Sequence, residues 1–183
     1  VTAWFETTRQ RTVYEGRARV RIDTVRMPEG EEVEREIVEQ RSAVAVVPVT
    51  PDGEVFLLKQ YRQSVGAYVL EIPAGQLDDD DPSPADAARR ELVEEIGHDA
   101  GELESLTVFL NSAGWTTERT AVFLARDPQP APRPEDFVAE HEEADMEVVR
   151  LPFDEALALV MAGEITDAKT VVGLLLAART LGR

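Results

Sequence analysis

IPAGQLDDDDPSPADAARRELVEEIG, residues Ile72 to Gly97, gathers carboxylates and chain-punctuating residues more densely than a buried core requires. Its second half has the marks of a short helix. Ser83 suits the capping position, Pro84 the first helical position, and Asp86 follows where a capping box wants an acidic partner. Gly97 marks the stop. Ala88, Leu92 and Ile96 recur every fourth residue and give the helix one apolar face. Glu91, Glu94 and Glu95 are expected to stand off that face, within about 100° of helix arc at roughly 3.6 residues per turn. Carboxylates held so close repel one another unless a positive charge sits among them. An acidic helix face is ordinarily no more than solvated surface. In a chain with no cysteine and only 2 histidines, the same cluster also suits hard, oxygen-seeking cations such as Mg²⁺ or Mn²⁺.

Working outward, Ala43 to Thr50 (AVAVVPVT) is a nearly continuous apolar run and predicts a buried strand. The turn signal Thr50 to Gly53 follows, then Glu54 to Tyr61 as a hairpin partner and Tyr68 to Ile72 as a further strand ended by Pro73. Ala74 to Pro82 reads as a loop feeding the acidic helix, an arrangement that places ligands near a helix N-terminus. Beyond Gly97, Leu106 to Leu110 and Thr120 to Ala125 read as strands joined by NSAGWTTER, and Asp127 to Asp136 as irregular. Met146 to Leu151 reads as a strand and Pro152 to Met161 as a helix stopped at Gly163. Thr166 is the expected cap of a last helix with an apolar stripe at Val171, Leu174, Leu175 and Ala178. Upstream, alternation at Thr12 to Tyr14, Arg19 to Val25 and Val33 to Val38 predicts a small antiparallel sheet in residues 1 to 40. Trp4, Phe5 and Tyr14 give that thin segment aromatic surface to bury on the main body or on a second subunit. The sum is an α+β layering, a mixed sheet flanked by helices.

With 183 residues, 43% of them hydrophobic, the chain can build a real core. Acidic residues outnumber basic ones 36 to 19, a formal net charge of -17, which argues against a nucleic-acid backbone or an anionic membrane as main partner. Such a protein needs divalent cations to mediate contact with a polyanionic substrate. The absence of cysteine excludes disulfides and thiolate chemistry. No apolar run approaches a membrane span and Val1 to Arg11 lacks a secretory h-region, so the cytoplasm is the expected compartment.

Gly75 followed by Arg90-Glu91-Leu92-Val93-Glu94-Glu95-Ile96-Gly97 resembles the Nudix box: a glycine, five residues, a glutamate, seven residues, then R-E-U-x-E-E-x-G-U with U aliphatic. The second half matches at every position from Arg90 to Gly97. Gly75 and Arg90 are 15 residues apart where the pattern has 14, so the loop is lengthened and the box's first glutamate falls at Asp81 or Pro82, Asp81 being the chemical substitute. His98 stands where an aliphatic residue is expected and reads as a boundary residue without a catalytic task. The resemblance implies an α/β/α sandwich and hydrolysis of a nucleoside diphosphate linked to another group. Its cofactor would be Mg²⁺ or Mn²⁺ held by Glu91, Glu95, Glu94 and the backbone oxygen of Ala74.

Further pieces, LLKQYRQSVGAYVLEIPAGQLD, SAGWTTER and GEITDAKTVVGLLLA, are similar to the ADP-ribose pyrophosphatase branch of that family. The resemblance implies a homodimer in which residues 1 to 40 exchange with a second subunit, beside a catalytic domain at 41 to 183. It also implies Arg41 and Arg62 as ADP-ribose contacts, by phosphate forks or stacking on adenine, and Glu118 as a polar ligand contact. A late-loop glutamate is the implied general base; EHEEADM offers Glu140, Glu142 and Glu143, with Glu142 first and Glu143 second. The branch's S-P-G piece is here Ser112-Ala113-Gly114, which leaves another ADP-sugar or a nucleotide sugar such as GDP-mannose as an alternative substrate. A non-catalytic nucleotide-binding regulator is the remaining alternative, disfavoured by the intact box carboxylates.

Overall fold

Alternating polarity near the N-terminus is realised as three antiparallel strands, β1 (Glu6–Glu15), β2 (Arg19–Arg26) and β3 (Glu32–Glu39), with β2 in the middle. The structure, a computed structural model, describes residues 5–134 and 145–183. The expected strands are all present, each somewhat longer than its apolar alternation. The buried carboxylate of Asp23 is tolerated because Arg21 donates to it from Nε at 2.9 Å and Nη2 at 3.2 Å. Residues 109–119 belong to the same compact unit as this sheet. Trp115 accepts a hydrogen bond from the Val38 amide at 2.8 Å, and the Thr117 amide donates to Val38 at 3.0 Å. Phe5 and Tyr14 are exposed on this chain, and Trp4 lies outside the described residues.

The second unit is built on β4 (Ala43–Val49), buried at all seven positions as the apolar run predicts. Then follow β5 (Glu54–Arg62), β6 (Ala67–Glu71), β7 (Ala74–Gln76), α1 (Pro84–Ile96), β8 (His98–Asp99), β9 (Glu102–Leu110), β10 (Arg119–Arg126), β11 (Gln129–Pro130), β12 (Glu147–Pro152), α2 (Phe153–Ala162) and α3 (Ala168–Leu181). The large sheet runs β12-β5-β4-β10-β9, with β6 added to β5 and β7 to β4. It is mixed, since β10 pairs parallel with β4 while β5, β7 and β12 pair antiparallel with their neighbours.

Strands β4 and β5 pair at Val49 and Val55; farther along, β5 pairs β6 and β4 pairs β7. The chain from β6 into β7 is thus wedged between them, with the Pro73 carbonyl accepting from the Val46 amide at 2.9 Å. The loop expected from Ala74 onward therefore begins as a short strand. Its residues complete the otherwise unpaired edge of β4.

Period-two alternation along β4 serves two cores. Val44 and Val46 pack with Phe56, Leu58 and, from α1, Ala88, Leu92 and Ile96. Ala45, Val47 and Val49 face the opposite way, against Leu57, Ile72, Phe153 of α2 and Leu174 of α3. One helix covers one face and two cover the other, the expected α/β/α sandwich with its small additional antiparallel sheet.

Local details depart from expectation in three places. The cap of α3 is Asp167 and not Thr166: its carboxylate accepts from the Thr170 amide at 2.9 Å, an ionised acceptor being well suited to a helix N-terminus. Leu175 is exposed while Leu174 and Ala178 are buried, which narrows the stripe of α3. Gln129–Pro130 pair with His98–Asp99 inside the stretch expected to be irregular.

Candidate active site

The acidic helix begins as its sequence predicts. Ser83 accepts from the Asp86 amide at 3.2 Å, and Pro84 occupies the first turn, where its missing N–H costs nothing. Gly97 closes the helix at φ 67°, a left-handed cap that frees the chain to turn into β8. His98 is a boundary residue, its ring 4.6 Å from that of Phe56 and its Nδ1 2.8 Å from the Ile96 carbonyl oxygen.

The three glutamates do not share one environment. Glu91 is buried at 8% exposure, which corrects the expectation that it stands clear of the apolar face. Its carboxylate lies over Gly75, and a Cβ on that residue would fall on it. A side chain at this position would have to displace the Glu91 carboxylate from its place over the loop. Burial pushes the Glu91 carboxyl up to about 7, against the opposing pull of Arg90. Glu94 is more open, and Glu95 accepts from the Ala74 amide at 2.9 Å, tying the helix to β7.

Arg90 supplies the positive charge that the cluster demands. Its guanidinium reaches Glu91 at 2.8 Å and Glu94 at 3.0 Å from Nη1, and Asp81 at 3.0 Å and the Gln76 carbonyl at 3.2 Å from Nη2. Asp81 also receives the Asp78 amide at 2.8 Å, and its bonds with Arg90 hold its carboxyl below the usual range. The lengthened loop is therefore pinned from the helix by one arginine. Arg90 is itself raised by Asp81 and remains charged throughout.

A hard divalent cation suits this donor set. Glu91 is a carboxylate that burial makes unwilling to ionise, so a nearby cation relieves a real electrostatic cost. Among the described residues no three acidic or histidine side chains form a ready-made metal cage. An ion of the Mg²⁺ type keeps several waters and takes only one or two carboxylates, so it needs none.

A second cluster lies on the other side of the β6–β7 connection. Arg62 makes a bidentate pair with Glu71, Nε to Oε1 at 2.6 Å and Nη2 to Oε2 at 2.8 Å. Lys169 sits 3.5 Å from Glu71 and 2.7 Å from Asp167. These four side chains, with Ser64 and Thr166, border a cavity of about 320 Å³. Charges on Glu95 and Asp167 also bear on Arg62, which places it in the field of the acidic helix.

Sequence reasoning found Arg62 but not the companions that hold it. Glu71 was legible as an acidic residue inside an apolar strand, and Asp167 and Lys169 as charges at the start of an amphipathic helix. Their partnership needed the fold. Arg41 and Glu118 fall in the N-terminal unit, Arg41 exposed and Glu118 half-buried, its amide donating to Thr116 Oγ1 at 3.2 Å. Ala113 is exposed in the turn after β9. Glu140, Glu142 and Glu143 lie outside the described residues.

A NUDIX domain family model matches residues 39–171. An ADP-ribose pyrophosphatase of Mycobacterium tuberculosis is 38% identical over 172 residues, covering 93% of this chain and 82% of its own length. A methanol dehydrogenase activator of Bacillus methanolicus is 31% identical over 170 residues, 92% of this chain and 90% of that protein. Among solved structures, one described as an ADP compounds hydrolase superposes with a TM-score of 0.84 at 24% identity, over 97% of this chain and 94% of that one, a likeness of fold.

Proposed function

The chain belongs to the NUDIX family, and from that premise we propose that it hydrolyses the pyrophosphate bridge of ADP-ribose to give AMP and ribose 5-phosphate. The observation that carries this reading is the burial of Glu91 over Gly75, with Glu94 and Glu95 beside it, at the mouth of the loop that Arg90 pins. The 38% identity to an ADP-ribose pyrophosphatase across nearly the whole chain supports the choice of substrate.

The resident ion is a divalent cation, and we assign Mg²⁺, with Mn²⁺ as substitute. When bound, such an ion would supply screening of the diphosphate oxygens for in-line attack by water. Glu91 and Glu95 would be its primary ligands, with Glu94 in close support and the Ala74 backbone oxygen on the loop side. Arg62 and Arg41 bind the anionic and adenosine portions of the substrate, and Glu118 makes a polar contact to it. Glu142, or failing it Glu143, takes the proton of the attacking water as general base. The working protein is a cytoplasmic homodimer joined through the N-terminal sheet. In keeping with a dimer, Phe5, Val13 and Tyr14 are exposed on this chain.

The test is product analysis by chromatography after incubating the protein with ADP-ribose and Mg²⁺. AMP and ribose 5-phosphate in equal amounts are expected, and full turnover in EDTA would refute the metal mechanism. Ala113, in place of the proline of the resembling branch, favours a second reading in which another ADP-sugar or GDP-mannose is the better substrate. A substrate panel ranked by kcat/KM decides between the two. A regulator that binds nucleotide without chemistry, a reading to which a relative named as an activator lends some support, would be stabilised by ADP-ribose yet release no product.

A further inference from the structure

The charged cluster behind Arg62 has a construction that substrate contact alone does not explain. Glu71 is 3% exposed and carries two cations, Arg62 on both of its oxygens and Lys169 at 3.5 Å on Oε2. Lys169 is in turn held by Asp167 at 2.7 Å. Asp167 caps α3 through the Thr170 amide at 2.9 Å and accepts from the Thr170 hydroxyl at 2.7 Å, and that hydroxyl receives the Ile72 amide at 2.9 Å. Strand β6, the wedge leading to Ala74 and the N-terminus of α3 are thereby joined in one network with Arg62 at its open end. Formal charge within it balances, Arg62 and Lys169 against Glu71 and Asp167. Burial works against the charge of Lys169, yet Asp167 and Glu71 hold its pKa above the ordinary lysine value.

We propose that Lys169, anchored by Asp167, is a positioning residue for Arg62: it shares the charge of Glu71 so that the clamped guanidinium keeps its attraction for an anionic diphosphate. The inference rests on the reading of Arg62 as a substrate contact. Physically, the Glu71 pair engages the Nε–Nη2 edge of Arg62 and fixes its direction, leaving the Nη1 protons for a second anion. Arg62 and Lys169 together offset Glu71 and Asp167, so the cluster is neutral only while Lys169 is present. Lys169 acts from the buried side, 19% exposed, where water screens it weakly. Removing it leaves one excess negative charge behind the diphosphate site.

Two measurements on the full chain test this. Steady-state kinetics with ADP-ribose and Mg²⁺ compare wild type, Lys169→Met and Lys169→Arg at low and high salt. Lys169→Met is expected to raise KM about tenfold while kcat stays within about twofold. The KM deficit should shrink as salt screens the excess charge, and Lys169→Arg should restore KM. Independently, the Arg62 Nε–H resonance, followed by NMR, should move in Lys169→Met and stay near its wild-type position in Lys169→Arg. Glu71→Gln, nearly isosteric, should move it further and serves if Lys169→Met folds poorly. An unchanged KM, or a loss in kcat alone that Lys169→Arg does not repair, would overturn the proposal, as would an unmoved Arg62 signal. If the wild-type protein hydrolyses no ADP-ribose, the functional reading fails by itself and the NMR comparison still decides the clamp.

Discussion

At the scale of single residues, Glu91, Glu94 and Glu95 divide a task that their spacing presents as shared. Spacing places three carboxylates on one arc of helix, but only the packing of Gly75 and the reach of Arg90 decide that Glu91 is the buried one. Glu95 is held by the Ala74 amide, so replacing it removes a charge without opening a cavity. Glu95→Gln should therefore fold normally and lose more than about 100-fold in kcat for ADP-ribose, since even the outer partners of metal ligands cost about 10–100-fold. An activity within threefold of wild type would count against its role as ligand. At the other cluster, burial would raise the Asp167 carboxyl, but Lys169 and Thr170 hold it below the ordinary value of 3.8. Its charge accordingly stabilises the fold above that pH, and the benefit is lost as pH falls through the depressed native value. Lys169, raised above 10.5, contributes fully below that pH and loses its contribution as pH rises through the elevated native value. Asn caps a helix nearly as well as Asp, so the gap in melting temperature between wild type and Asp167→Asn should be full near neutrality. It should close in acid below the ordinary value. A gap independent of pH would show that the charge is not what matters.

At the scale of elements, the legible parts were those whose signals are local. Ser83, Pro84 and Gly97 act within one turn of their own helix, and the structure places them where their types demand. Ser83→Ala should cost about 1 kcal/mol in chemical denaturation, the ordinary worth of such a cap. Strand β7 was missed because its reason for being a strand is not in AGQ but in the open edge of β4. Thr166 and Asp167 are both competent caps by residue type, and only the fold, which brings Thr170 to the Ile72 amide, selects Asp167. Helix α3 carries one further constraint. A Cβ on Gly173 would meet Ile72 Cδ1 and Val47 Cγ2 at 2.9 Å each, with Val122 Cγ1 at 3.5 Å. Gly173→Ala, which would stabilise an isolated helix, should here destabilise the protein by about 1–3 kcal/mol through overpacking. A higher melting temperature in that variant would mean that the helix can lift off the sheet at little cost.

For the whole molecule, the formal net charge of -17 and the exposure of β1 set the expectations. An edge strand exposed along all 10 residues, with Phe5, Val13 and Tyr14 on the surface, is a surface that asks for a partner. Size-exclusion chromatography with light scattering should return twice the 20.3 kDa of the chain, and a monomer at micromolar concentration would count strongly against an exchanged-sheet pocket. The amino-acid sequence by itself determined the layers of the sandwich, the acidic helix with both of its ends, and the family to which that helix belongs. The sheet flanked by helices and the helix ends follow from periodicity and capping, which act over a few residues; the family, and the sandwich it implies, follow from the resemblance carried by Gly75 and Arg90 to Gly97. Tertiary structure alone decided that Glu91 is buried, that one arginine pins the lengthened loop, and that Glu71, Asp167 and Lys169 stand behind Arg62. Each of these depends on the wedge of β6 and β7 between β4 and β5, which brings together charges whose sequence positions say nothing of their distance.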